Sequence, residues 1–324
     1  MSVEFIAEFC QNHNGDTVLL EEMIHAAADS GARVGKIQTI FADNLAYRPK
    51  FETGIEIEGR TEVIKRPYRP EYERMKGLEL DFDAHARFVE SCVAHGLDPM
   101  TTCFSREHVE AIRSAGFRRV KVASYDCASY PMLRDLAAEF DELVVSTGAT
   151  FDDEIVTASR ILSDVPHKLL HCVTIYPTPL DQVHLSRMRF LRTLCGCVGF
   201  SDHSLVQRDG MTAAKAACHE GAEVIERHFT ILDAKETKDG PVSVGPGLVA
   251  DLIRFAELDH EAQREELDAR HPGWLQCLGD ASRGLSAEEL RNRDYYKGRF
   301  ASRRERYGPE AMIYNWEETR LGDE

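Results

Sequence analysis

The sequence predicts an α/β fold, a closed (β/α)8 barrel of the TIM class with a short C-terminal tail, and three observations predict it. Short β-branched runs alternate with longer amphipathic stretches, as in repeated strand and helix units that build a parallel sheet. The pattern repeats eight times within about 250 residues, which favours closure over an open doubly wound sheet. Neither a GxGxxG nor a GxxxxGKS/T phosphate loop is present, which lowers the dinucleotide-fold and P-loop alternatives.

Taken in order, the strand candidates are Glu4–Phe9, Val34–Gln38, Pro99–Phe104, Val120–Ser124, Leu143–Ser146, Leu169–Val173, Val198–Ser201 and Glu223–His228. Helical stretches follow them, among them Val18–Asp29, Asp83–His95, Ser105–Ala115 and Met211–Glu220. The interval Phe41–Leu78 breaks the rhythm with prolines, tyrosines and mixed charges, and reads as an elaborated loop that shapes a substrate mouth. Leu252–Leu267 reads as the last barrel helix and Asp268–Gly273 as a turn, so residues 1–270 form the barrel and 271–324 an extension. Within the tail of residues 280–324, the segment Arg291–Arg306 is basic and aromatic, with Tyr295, Tyr296, Arg299, Arg303, Arg304 and Arg306. It reads as a helix lying on the acidic barrel or on a partner subunit, the alternative being an anion contact at a neighbouring subunit's site.

The chain has 324 residues, 39 basic and 55 acidic, for a formal net charge of −16 with histidine neutral. That excess disfavours general nucleic-acid binding. Hydrophobic residues are 43% and charged residues 29%, ordinary globular usage that excludes a mainly disordered chain. No apolar run approaches the roughly 20 residues of a membrane helix. The start, MSVEFIAEFCQ, lacks a basic segment followed by an apolar stretch. A soluble cytoplasmic protein without a membrane partner is the expectation. Nine cysteines are too sparse for a disulfide scaffold and none forms CxxC; Cys195 and Cys197 read as reduced thiols near a strand rather than metal ligands.

In a barrel of this class the chemistry sits at the carboxyl ends of the strands, where eight loops converge over a filled interior. Those ends carry Glu8; Lys36 and Gln38; Lys121 and Ser124; Ser146 and Thr147; His171; Ser201, Asp202 and His203; and Glu226 and His228. Lysine is rarely fully buried unless paired, so Lys36 and Lys121 inside apolar strands point to a bound anion, with a paired core lysine as the other reading of Lys36. A cation and a hydroxyl at one strand end hold phosphate oxygens, and Ser146 and Ser201 add donors. His203 and His228 close adjacent strands, where two neutral imidazoles either share a divalent ion or hydrogen-bond in a core. His171, in Leu-Leu-His-Cys-Val, reads as a hydrogen-bonded barrel residue, and His13 lies in the turn after the first strand as a helix cap or a functional group.

These strings occur in one order along the barrel, and together the chain resembles the sialic acid synthases. Their opening IAEIGxNHxG is matched by Ile6-Ala-Glu-Phe-Cys-Gln-Asn-His-Asn-Gly15, their KxQ by Lys36-Ile-Gln38, KIAS by Lys121-Val-Ala-Ser124 and STG by Ser146-Thr-Gly148. Leu170-His-Cys172 with Tyr176-Pro177, Gly199-Phe-Ser-Asp-His203 and Ile225-Glu-Arg-His-Phe-Thr230 are similar to LHCxxxYP, GxSDH and IEKHFT. The resemblance covers roughly residues 4–260. It implies condensation of phosphoenolpyruvate with a sugar aldehyde to give a 2-keto acid and phosphate. Carried over by position, Lys36, Gln38, Lys121, Ser124, Ser146 and Ser201 bind phosphoenolpyruvate, His203 and His228 bind manganese or magnesium, and Glu8 and Asp126 lie near the reacting atoms. Tyr176 falls where a tyrosine contacts the acceptor sugar, and a homodimer is implied.

The departures concern the acceptor. The family has asparagine where this chain has Thr174, an aspartate where it has Val242, and usually glutamate where it has Asp126. The family also carries a small antifreeze-like domain after the barrel, for which a tail of about 45 residues is too short. In the implied mechanism the divalent ion polarises the aldehyde, Glu8 or Asp126 handles the water that adds to the second carbon, and the two lysines offset charge on departing phosphate. The competing readings are a Schiff-base pyruvate aldolase using Lys121 or Lys36, and a degenerate barrel that binds a sugar acid or a partner protein.

Overall fold

The computed structural model describes residues 3–303, 311–319 and 321; Arg304 and Arg306 of the basic segment lie outside the described residues. Eight parallel strands close in chain order. They are β1 (Glu4–Cys10), β2 (Val34–Thr39), β3 (Asp98–Cys103), β4 (Arg119–Val122), β5 (Glu142–Ser146), β6 (His167–Cys172), β7 (Val198–Asp202) and β8 (Val224–His228). Closure is made by β1, which pairs with β2 on one side and β8 on the other. The outer helices are α1 (Thr17–Asp29), α2 (Phe82–Ala94), α3 (Val109–Ser114), α4 (Tyr130–Glu139), α5 (Asp152–Ile161), α6 (Met188–Leu191), α7 (Thr212–His219) and α8 (Pro246–Glu257).

Every expected strand is present, with shifted ends. β4 stops at Val122 and Ser124–Asp126 forms a 3-10 turn, so Ser124 sits beyond the strand. The expected helix Ser105–Ala115 begins as a 3-10 turn, Arg106–His108, before α3. Leu252–Leu267 is not one helix: α8 ends at Glu257, Leu258 is extended, and Asp259 caps α9 (His260–Arg270) by accepting from Ala262 N at 2.9 Å. The turn expected at Asp268–Gly273 therefore starts only after Arg270. The interval 41–78 folds rather than loops, with a hairpin of Ile55–Ile57 and Arg60–Val63 and a helix Tyr68–Lys76.

Strand alternation sorts side chains between two cores, because successive residues face opposite sides of a sheet. Phe5, Ala7 and Phe9 of β1 face the helices, where Phe9 meets Phe88 and Phe229 edge to face at centroid distances of 6.1 and 5.8 Å. Ile6, Val34, Met100, Val144, Leu170 and Val224 form a separate buried layer that plugs the barrel. Gly199 belongs to that level: a β-carbon there would lie 2.7 Å from Leu170 Cδ2, so the plug leaves no room for a larger residue. Two positions further along the same strands stand Glu8, Lys36, Thr102, Ser146, Cys172, Ser201 and Glu226, the floor of the mouth. Alternation also puts Arg227 outside, fully buried, paired with Asp202 at 3.0 Å and donating to Ser204 O at 2.7 Å. Asp202 is thus occupied structurally, although its strand end had been grouped with the mouth.

The extension packs on its own barrel. α10 (Ala287–Tyr296) is started by a capping box in which Ser286 and Glu289 satisfy each other's backbone amides. Asn292 Nδ2 donates to Thr174 O at 2.6 Å, and Arg293 reaches Ala149 O and Glu154, each at 2.6 Å. After it, Ala301–Arg303 pairs antiparallel with Met312–Tyr314.

Candidate functional site

The carboxyl ends of the strands and α10 enclose a cavity of about 440 Å³. Its floor is a charge network centred on Glu226. One carboxylate oxygen accepts from Ser201 Oγ at 2.8 Å and from Lys121 Nζ at 3.2 Å, and the other lies 3.1 Å from Lys36 Nζ. Lys121 also donates to Ser146 Oγ at 2.7 Å, and Lys36 to Thr102 Oγ1 at 3.2 Å while it pairs with Glu8. Burial alone would push Glu226 up, but Lys121 and Lys36 outweigh it and hold the carboxyl well below the usual range. Burial likewise opposes the charged form of Lys36, yet Glu226 and Glu8 hold it above its ordinary value. For Lys121 burial wins, reinforced by the adjacent Lys36, and the amine lies below its ordinary value. Lys36 and Lys121 are therefore matched in number by Glu8 and Glu226, the paired reading of Lys36, at the floor of a cavity.

Ser124 reaches this floor from the turn after β4. Its Oγ accepts from Gly148 N at 3.2 Å, and a β-carbon on Gly148 would lie 2.7 Å from Thr174 Cγ2, so only glycine fits the approach of these two turns. On the rim, the Tyr176 hydroxyl and His203 Nε2 are 2.9 Å apart, and the His203 and His228 rings are 5.6 Å apart between centroids. Burial first, and His228 second, push His203 down to about 3, so it is a neutral imidazole, the form a metal ligand needs. His228 is 8% exposed and its Nδ1 has no hydrogen-bond partner. Donor atoms of Cys10, His228 and Asp239 lie within 4.8 Å of one another. A buried histidine with an orphan nitrogen, grouped with a thiol and a carboxylate, fits a divalent ion.

The outer mouth is cationic. Six cationic and four carboxylate side chains line the cavity, so local charge opposes the net −16 of the chain. Arg66 comes from the 41–78 insertion and donates to Tyr296 Oη at 3.0 Å; Arg74 and Arg299 both bind Glu71. Burial would raise the Glu71 carboxyl, yet Arg74 and Arg299 hold it down at about 2. Tyr296 and Arg299 of the basic segment thus reach the cavity of their own chain.

Glu8, Lys36, Gln38, Lys121, Ser124, Ser146, Tyr176, Ser201, His203 and His228 all line this one cavity. Asp126 does not. The 3-10 turn points it toward Ser129 Oγ at 2.8 Å and Asn315 Nδ2 at 3.0 Å, and burial pushes it up to about 6. His171 Nε2 donates to Val183 O, 2.7 Å away on the helix side, as a barrel residue. His13 does not cap α1: Asp16 does so from Val18 N and Leu19 N, and His13 Nδ1 accepts from Gly15 N within the turn. Val242 is buried outside the cavity, whereas Thr174 lines it beside Asn292 from α10. Cys195 and Cys197 are free and precede β7, the Cys195 thiol donating to the carbonyl oxygens of His167 and Cys197. Sequence reasoning missed Cys10, Asp239, Arg66, Arg74 and the central role of Glu226. A signal existed for Cys10, which stands at a glycine of IAEIGxNHxG.

Comparison with known proteins finds similar chains over most of the length. The NeuB family model matches residues 23–266. An N,N'-diacetyllegionaminic acid synthase of Legionella pneumophila is 31% identical over 263 residues, covering 78% of this chain and 71% of that protein. A pseudaminic acid synthase of Campylobacter jejuni is 28% identical over 306 residues, 93% and 82% of the two chains. Among solved structures, an N-acetylneuraminic acid synthetase from Leptospira borgpetersenii superposes with a TM-score of 0.66 at 26% identity over 91% of each chain.

Proposed function

The chain belongs to the NeuB family, and on that premise we propose that it condenses phosphoenolpyruvate with a sugar aldehyde to give a 2-keto-3-deoxy sugar acid and inorganic phosphate. The observation that carries this reading is the convergence of Lys36, Lys121, Ser146 and Ser201 on Glu226, under a rim holding His203 and His228, inside one cavity.

Lys36, Lys121, Ser124, Ser146 and Ser201 bind the enol phosphate, with Gln38 beside them, and the cationic mouth draws the anion in. A divalent ion would be held at the rim by His228, with His203 beside it, and when bound would polarise an aldehyde oxygen. Tyr176, on the rim, positions the acceptor. The new bond joins the methylene carbon of phosphoenolpyruvate to the aldehyde carbon, and water adds to the second carbon of the enol ether. Glu8, fixed by the Cys10 amide at 2.6 Å, orients or deprotonates that water. The bond from that carbon to the phosphate oxygen then breaks, and Lys36 and Lys121 offset the charge that leaves. Asp126, tied to Asn315, has no part in these steps.

The test is phosphate release from phosphoenolpyruvate in the presence of manganese and a panel of hexosamine-derived aldehydes. Release should require an aldehyde and stop with chelator, and oxygen-18 in the bridging position should leave with phosphate. Label kept in the keto acid, or release indifferent to chelator, contradicts the reading. The depressed Lys121 amine favours one second reading, imine formation with pyruvate. A borohydride-stable pyruvate adduct on Lys121 would establish it.

A further inference from the structure

Building on that reading, we propose that the divalent ion of this chain sits in a thiolate site, held by Cys10, His228 and Asp239, and that the site takes a thiophilic metal of the zinc, cobalt or cadmium kind in preference to magnesium. The three donors come from separate parts of the chain: the end of β1, the end of β8, which pairs with it, and the loop before Gly240–Val242. Their donor atoms nevertheless lie within 4.8 Å of one another, and no other group of three such donors does so among the described residues. Metal bonds of about 2.0–2.3 Å place ligand atoms roughly 3–4.5 Å apart, which matches that spread.

Two further observations point to a ligand. His228 is 8% exposed and keeps an unpartnered Nδ1. Cys10 is buried with φ of 51°, a left-handed backbone at the bulge between β1 and β2, where glycine is free of strain. The glycine of the motif that this turn resembles is therefore replaced by a residue whose backbone is disfavoured and whose Sγ points at Asp239 Oδ2, 3.0 Å away. Magnesium demands oxygen ligands, whereas a thiolate with imidazole and carboxylate selects softer ions. On binding, the thiol proton leaves to buffer and sulfur becomes a ligand. His203, its ring 5.6 Å from that of His228, lies outside this group of three, its Nε2 being 2.9 Å from the Tyr176 hydroxyl.

The experiment is cobalt titration of the full chain after removal of metal by dialysis against chelator, read by absorption. A near-ultraviolet sulfur-to-cobalt charge-transfer band should appear at one equivalent, and should vanish in Cys10→Ser and in Cys10→Gly, with the other eight cysteines intact. Cys10→Gly relieves the left-handed strain, so it keeps the test valid should the serine variant unfold. Cadmium should raise Tm by several degrees in the parent and not in Cys10→Gly, while magnesium leaves both unchanged. Absence of the band in the parent, or its persistence in both variants, overturns the proposal. The readout is independent of turnover: a cobalt–thiolate band without phosphate release would sink the synthase reading alone, and chelator-sensitive release without the band would sink the thiolate site alone.

Discussion

At the amino ends of the strands, Arg119 lies 2.9 Å from Glu4, 2.7 Å from Asp98 and 2.6 Å from Glu142, and Lys168 joins Glu4 at 2.9 Å. At the carboxyl ends, on the other side of the plug, Lys36 and Lys121 share Glu226. Both rings pair basic with acidic side chains on the inward face of the barrel, and β1 and β4 contribute to each. They differ in surroundings: the acids of the lower ring keep 23–48% of their side-chain surface in water, whereas no charged group of the upper ring keeps more than 7%. A wet network is a local stabilising device of modest worth. A dry network next to a cavity is costly to build and acts strongly on whatever enters, because low dielectric magnifies its field. The difference teaches that charge in a barrel interior marks function by its dryness and its adjacency to space, not by its presence.

The largest contrast should come from Lys121→Met. Loss of one amine at the departing phosphate should lower turnover by on the order of 100- to 1000-fold, the scale of removing one preorganised donor. Stability should fall as well, by up to about 3 kcal/mol, because Glu8 and Glu226 are left to share Lys36 unless one of them takes up a proton. Phosphate release and urea unfolding on the same sample check both halves. A loss of several kcal/mol with near-normal turnover would erase the distinction between the rings.

Asp126 sharpens the comparison, being a dry carboxyl at the same end with no amine beside it. Burial raises it from 3.8 to about 6, a differential of about 3 kcal/mol. For a raised carboxyl the contribution is fully present below its unfolded value and is lost as pH rises through the folded one. Asp126→Asn should therefore gain on the parent between about pH 4 and pH 6 and hold that gain above. Urea midpoints at pH 4 and pH 7 read it; an equal difference at both would show that Asp126 titrates normally.

How much of this was legible differs by residue. The period-2 alternation of Glu4–Phe9 was enough to place Ile6 in the plug and Glu8 above it, because alternation is a local property of the chain. Lys36 and Lys121 were legible for the same reason. Their pairing with Glu226 was not, since it crosses the closed barrel between strands that are not neighbours, and for Lys121 joins residues 105 positions apart. The role of α10 was hidden more deeply: Asn292 meets Thr174 across 118 positions, and nothing local says which barrel the helix covers. Asp126, carried over from the resemblance alone, lies outside the cavity lining because two residues after Ser124 the chain has already turned, and a 3-10 turn does not keep the facing of a strand.

The smallest effect belongs to the lower ring. Arg119→Met leaves Glu4 and Glu142 without their shared guanidinium, though Lys168 still reaches both at 2.9 and 3.5 Å. With these acids partly in water the cost should be about 1–2 kcal/mol, between the values for exposed and buried pairs. Burial opposes ionisation of Glu4, but Arg119 and Lys168 hold it below 4.5. A depressed carboxyl stabilises above its unfolded value and ceases to do so as pH falls through the folded one, so the deficit should be full at pH 7 and shrink below about pH 4. Turnover should stay within about twofold of the parent, because the plug of Ile6, Val34 and Met100 separates this ring from the cavity. A drop in turnover comparable to that of Lys121→Met would mean that the plug transmits charge or strain between the rings, and the upper network could then no longer be treated as acting alone.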